Sequence, residues 1–219
     1  TAEYDDGSLM PVDEVVDHMN FLMMAAHDTI TSSATSLLWL LAKNPEWQEK
    51  LRQEVEAVTG GTGTDGRPRD LAYEDLGKLE LTEMAFKEAL RFVPPVPSMP
   101  RRALREFEYG GYRIPSGTPV GINIHWTHHS EEYWDEPEKF DPLRFTPDQV
   151  KARHKYAWVP FGGGAHMCLG LHFAYMQVKI LMAQLLPRYR VELADGDPEW
   201  QAWPIPKPKD GLKIRLTAL

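Results

Sequence analysis

One long stretch at helical spacing sets the scale of whatever this chain builds. Apolar residues recur at Val15, Val16, Met19, Leu22, Met23, Ala26, Ile30, Ala34, Leu37, Leu38 and Leu41, the i, i+3, i+4 pattern of one helix face. The stretch opens at Pro11–Val12–Asp13–Glu14, where Pro and acidic residues suit a first turn. It stops at Lys43–Asn44–Pro45. These limits predict a helix of about 33 residues and about 50 Å, long for a globular protein. His27, Asp28, Thr29, Thr31, Ser32 and Ser33 interrupt its middle, so it does not read as a membrane span.

A second helix is expected from Glu46 to about Val58, closed by Gly60–Gly61, and Thr59–Asp70, rich in Gly, Thr and Asp, reads as a loop. A third helix runs over Leu79–Phe92 and stops at Pro94–Pro95. Phe107–Tyr109, Tyr112–Ile114 and Pro119–Ile124 are short β-type runs separated by Gly110–Gly111 and Pro115–Ser116–Gly117, which predicts small hairpins. Ser130–Pro160 has many Pro, Asp and Glu and little period, and is expected to wrap a surface. A last helix covers Leu169–Leu186, ended by Pro187, with strand-like pieces after it at Arg188–Leu193 and Leu212–Leu216. There is no internal repeat. The pattern predicts a mainly α chain with small β-sheets, an α+β class.

Composition narrows the functions. With 42% hydrophobic and 26% charged residues the 219-residue chain is that of a globular protein. A net charge of -8 argues against a general affinity for nucleic acid. One cysteine excludes an internal disulfide framework and leaves either a buried filler or a working thiol. Thr1–Gly7 is polar and acidic, without the features of a secretory signal. A start at Thr inside an acidic stretch leads us to expect that the chain belongs to something longer.

That cysteine lies in Pro160-Phe161-Gly162-Gly163-Gly164-Ala165-His166-Met167-Cys168-Leu169-Gly170. Three glycines allow backbone shapes closed to other residues and a close approach by a ligand. Cys168 is expected at the mouth of the last helix, where free N–H groups favour a thiolate. A lone thiolate cannot close a zinc site, which needs about four ligands, but one protein ligand suffices for haem iron. A phosphate loop is excluded, because no Lys-Ser or Lys-Thr follows the glycines. An ordinary buried thiol beside a Gly-rich turn remains an alternative at this point.

The segment resembles the cytochrome P-450 haem signature Phe-Gly-x-Gly-x-His/Arg-x-Cys-x-Gly, matched at Phe161, Gly162, Gly164, His166, Cys168 and Gly170. Ala25-Ala26-His27-Asp28-Thr29 resembles the family's Ala-Gly-x-Asp/Glu-Thr, with Ala26 in place of the usual Gly. Glu88-Ala89-Leu90-Arg91 resembles its Glu-x-x-Arg, and Pro142-x-Arg144-Phe145 its Pro-x-Arg-Phe. The resemblance covers essentially the whole chain and implies the C-terminal, haem-binding half of that fold, with residues 1–219 a partial domain lacking the N-terminal helices. It implies haem b held by Cys168 as the iron's axial ligand, with His166 and Arg101 at propionates, Arg102 a rival for that place, and Phe161 and Gly162 beside the sulfur. Asp28 and Thr29 would serve proton delivery through water. Glu88, Arg91 and Arg144 would form a structural network, whereas Glu83–Lys87 is expected to be an ordinary surface pair.

The activity so implied is insertion of one oxygen atom into an apolar substrate of the lipid, sterol, terpene or xenobiotic kind. Electrons would come from a separate ferredoxin or NAD(P)H-dependent reductase. His166 is commoner in bacterial members, which implies a cytoplasmic protein. His172–Lys179 and His27 are similar to the sterol 14-demethylase branch, although that branch usually has His where Asp28 stands. A truncated, non-catalytic fragment is the alternative, and an exposed apolar face on the long helix would be its sign. Peroxide-driven oxygenation is disfavoured by the intact Asp28–Thr29 pair. His125, His128 and His129 invite a metal reading but fit no known ligand spacing.

Overall fold

The computed structural model describes residues 2–61 and 69–219. Residues 62–68 of the expected Thr59–Asp70 loop lie outside the described residues. Helix α1 spans Val12–Lys43 as one unbroken element. Its polar middle does not break it, because the hydroxyls turn back onto the helix: Thr29, Thr31, Ser33 and Ser36 donate to the carbonyls four residues earlier at 2.7–2.8 Å. Helix α2, Pro45–Thr59, starts with Pro in its first turn and ends on Gly60 at φ 78°, a left-handed stop that suits glycine. Helix α3 covers Glu80–Phe92.

The strands are β1 Ser98–Arg102, β2 Phe107–Tyr109, β3 Tyr112–Ile114 and β4 Pro119–Asn123. The β2–β3 hairpin forms as expected. β4 does not continue it, pairing instead with β1 from Ser98↔Asn123 to Arg102↔Pro119, so the hairpin is nested inside a longer-range ladder. β1 carries no β-type signature: Pro100 and the Arg pair hide it, and Pro is tolerated because the sheet has two strands among the described residues, which leaves β1 an open edge.

Ile124, expected to end a strand, begins α4 (Ile124–His129), and Asn123 Oδ1 caps it by accepting from Trp126 N at 2.9 Å. Ser130–Pro160 does not merely wrap a surface. It sends Trp134, Phe140, Phe145 and Ala157 inward, each nearly inaccessible, and adds the short α5 at Pro147–Ala152. Turn residues between single aromatic anchors leave no period to read, which is why the sequence looks like a coil there. Helix α6 covers Leu171–Leu185. Behind it β5 (Tyr189–Leu193) pairs with β8 (Ile214–Ala218), and the two-residue β6 (Trp200–Gln201) pairs with β7 (Lys207–Pro208).

The main core joins the C-terminal third of α1 (Leu37, Leu41) to α2 (Leu51), α3 (Phe86, Leu90) and α6 (Met182). The N-terminal half of α1 stands clear of it. Val12, Val16, Met19, Leu22, Met23 and Met24 are all exposed, Val12 at 79% and Met23 at 73%, a contiguous apolar face of the kind that normally meets another surface. No helix among the described residues is long and apolar enough to cross a membrane.

One side chain joins layers in place of backbone. The Gln48 amide on α2 donates to the carbonyls of Leu41 (2.8 Å) and Val191 (2.7 Å), and its oxygen accepts from Val191 N at 2.9 Å. Gln48→Ala strands both polar groups of the buried Val191. Urea denaturation should show a loss of about 2–4 kcal/mol, the cost of one or two unmet buried hydrogen bonds.

Candidate haem-thiolate site

The cysteine loop is shaped by two glycines rather than three. Gly162 and Gly164 sit at φ 73° and 71°, the left-handed region where a side chain is strained, whereas Gly163 is extended at φ -169°. The turn is closed by Gly162 N to Val159 O at 3.0 Å and Met167 N to Gly164 O at 3.1 Å, and Cys168 N then donates back to Phe161 O at 2.9 Å. α6 begins at Leu171 with Gly170 as its N-cap, so Cys168 stands two residues ahead of the cap instead of inside the first turn. The sulfur still lies beside it: a Cβ added at Gly170 would come within 3.8 Å of Sγ. The thiol is exposed, which answers the alternative of a buried filler.

Phe161 fixes the loop from below, edge-on to Trp158 and Tyr175 at centroid distances of 6.1 and 5.7 Å. A Cβ at Gly162 would meet Met99 Sδ at 3.5 Å, so β1 lies directly against the loop. Strand alternation then separates the two arginines. Arg101 shares the Met99 face, with Nη2 3.9 Å from Met99 Sδ, whereas Arg102 turns the other way and donates to Gly117 O at 2.9 Å. An exposed thiol beside a helix N-cap, with Arg101 on the face of β1 that meets the loop, suits a flat dianionic macrocycle held through its metal.

On α1, His27 Nδ1 lies 2.8 Å from Asp28 Oδ1, both side chains exposed, and the Thr29 hydroxyl donates to Ala25 O at 2.7 Å. Ile30 on α1 and Phe161 on the loop both border the main core.

Behind the loop lies a fully buried ion pair. Arg91 Nε and Nη2 donate to the two Glu88 oxygens at 2.8 and 3.0 Å, with neither side chain exposed. The remaining Arg91 donors reach the carbonyls of His128 (2.8 Å) and Pro137 (2.6 Å), and Glu88 accepts from Asp141 N at 3.0 Å. Arg144 joins at 3.4 Å from its Nε to Glu88 Oε1, an ionic contact without hydrogen-bond geometry. Glu83–Lys87 departs from the expected surface pair: it is half-buried, and Lys179 of α6 also reaches Glu83 at 2.6 Å. The signal was the lysine at position 179 on the apolar face of α6, a charge that needs a buried partner.

The three-histidine metal reading fails on geometry. His128 is fully buried, and its Nε2 accepts from Val159 N at 3.0 Å; it is a strut between α4 and the approach to the loop. Among the described residues no group of three metal-ligating side chains assembles.

The cytochrome P450 family model matches residues 1–213. The chain belongs to the cytochrome P450 family. A relative named putative cytochrome P450 136 from Mycobacterium tuberculosis is 42% identical over 98% of this P450 chain and 43% of its own length. Human cytochrome P450 4X1 is 34% identical over 100% of the chain and 42% of the relative. A solved structure titled retinoic acid bound cyanobacterial CYP120A1 superposes with a TM-score of 0.89 at 32% identity, covering 100% of this chain and 49% of that one. The α+β architecture is therefore that of the P450 fold, and the chain spans less than half the length of these relatives.

Arg91→Ala leaves Glu88 charged, buried and unpaired, and should cost about 3–5 kcal/mol in chemical denaturation. Burial, helped by the Arg91 charge, holds His128 down at about 3, against about 6.5 in the unfolded chain. Between those values only the unfolded state takes up the proton, so this contribution to stability is lost as pH falls from 6.5 towards 3. Wild type should show a steeper acid slope than His128→Gln, by up to about 1.4 kcal/mol per pH unit.

Proposed function

We propose that this chain is the haem-binding part of a haem-thiolate monooxygenase, with Cys168 as the axial ligand of haem b. The observation that carries the reading is the exposed Cys168 thiol, set beside the N-cap of α6 by two left-handed glycines, in a chain of the P450 family. The haem, when bound, supplies the oxygen chemistry that places one oxygen atom in an unactivated C–H bond.

The chain's own residues bind, orient and deliver protons. Arg101 and His166 offer cationic or hydrogen-bonding partners to propionates, and Phe161 and Gly162 shape the space next to the sulfur. Because the Thr29 hydroxyl is spent as a donor on Ala25 O, its free lone pairs accept from a water. Asp28, exposed to solvent with His27 Nδ1 against one oxygen, takes up a proton from solvent water and relays it to that water. Adjacent helical residues point about 100° apart, so a water between them suits the geometry better than direct contact.

The substrate is an apolar small molecule of the lipid, sterol, terpene or xenobiotic class; the cyanobacterial structure is titled as bound to retinoic acid. Electrons arrive from a ferredoxin or an NAD(P)H-dependent reductase docking near Cys168. A cytoplasmic setting rests on the resemblance of His166 to bacterial members. The remaining half of the domain would cover the apolar face of α1 and complete the pocket. The same exposed face favours a second reading, in which this chain by itself binds haem without turnover or not at all.

Reconstitution with haem, reduction and addition of carbon monoxide tests the assignment. A strongly red-shifted Soret band that disappears in Cys168→Ala establishes thiolate ligation. A band unchanged in Cys168→Ala overturns it, and a folded chain that takes up no haem selects the second reading.

A further inference from the structure

We propose that His125 and His129 form a surface site for a divalent transition metal of intermediate softness: Cu2+, Ni2+ or Zn2+. The two residues stand at i and i+4 on α4, so both rings project from one face of a single turn. Their centroids are 4.3 Å apart with planes inclined at 40°. Histidines at this spacing can chelate a metal across one helical turn, as paired histidines on zinc-binding helices do.

The hydrogen bonding fixes which nitrogen is free. His129 Nδ1 lies 2.9 Å from His125 O, and a carbonyl can only accept, so Nδ1 carries the proton. The lone pair is thereby left on Nε2, the usual state of a ligating histidine whose other nitrogen is held by a carbonyl. His125 is exposed and makes no hydrogen bond through its ring among the described residues, so it is free to turn its nitrogen towards a shared ion.

The electrostatic setting admits a cation. The charge of the exposed Glu138 carboxylate favours a cation at both rings. Arg91 acts the other way on His129, but its guanidinium is neutralised by Glu88. With two imidazoles and water completing the shell, the donor set suits Cu2+, Ni2+ or Zn2+, and not Mg2+ or Ca2+, which want oxygen ligands. The proposal does not depend on the haem assignment, since neither histidine belongs to the cysteine loop or to α1.

The experiment is calorimetric titration of the full, metal-free chain with Ni2+, paired with Cu2+ electron paramagnetic resonance. Six other histidines and Cys168 also bind these ions, so the site is read by difference against His125→Asn, a change at an exposed position that leaves the core intact. Wild type should show one stronger-binding equivalent of Ni2+ that weakens at least about tenfold in the variant, by analogy with the loss of an outer-shell partner. The nitrogen hyperfine pattern of the first Cu2+ bound should fall by one ligand in parallel. Identical stoichiometry, affinity and spectrum in wild type and His125→Asn would overturn the proposal.

Discussion

The architecture turns on the buried pairing of Glu88 with Arg91. A guanidinium taken wholly out of water is tolerable only if its donors are all engaged, and Arg91 spends them on Glu88 and on carbonyls from α4 and from the 137–139 segment. Through that demand, pieces far apart in sequence acquire fixed positions. His128, placed by Arg91 at its carbonyl, offers its ring to Val159 N. Val159 in turn receives Gly162 N, so the chain of contacts ends at the turn that presents Cys168. The cysteine loop is exposed, yet its foundation is fully desolvated.

A second set of contacts holds α6 in place from the opposite side. Lys179 reaches across to Glu83 and to Leu76 O, while Tyr175 sits edge-on to both Phe86 and Phe161. The helix carrying the N-cap next to Cys168 is thus tied to α3, the same helix that carries Glu88 and Arg91. One element, thirteen residues long, therefore references both the loop and the helix that follows it.

Much of this was legible beforehand, and the rest was hidden for definite reasons. Helices announce themselves by period and by Pro or Gly stops, so α1, α2, α3 and α6 came through within a residue or two. The signature around Cys168 was equally plain. β1 was invisible because Pro100 and two arginines obscure the alternation, and its partner lies beyond an intervening hairpin. α4 is only one and a half turns long, too short for periodicity, although Asn123 was available as a cap. The inward role of Trp134, Phe140 and Phe145 could not be read from spacing because each is an isolated anchor. Which of Arg101 and Arg102 faces the cysteine loop needed the strand register, since adjacent residues in a strand face opposite ways.

The amide of Gln48 has a consequence beyond holding α2 to β5. Among the described residues β5 has a partner on one side only, β8, and a two-stranded ribbon leaves an unpaired row of N–H and C=O groups that invites strands from other molecules. At Val191 a side chain occupies those groups as a neighbouring backbone would. The glutamine acts as a false strand one residue long: it ends the sheet by imitation, and it leaves a visiting chain no register to join.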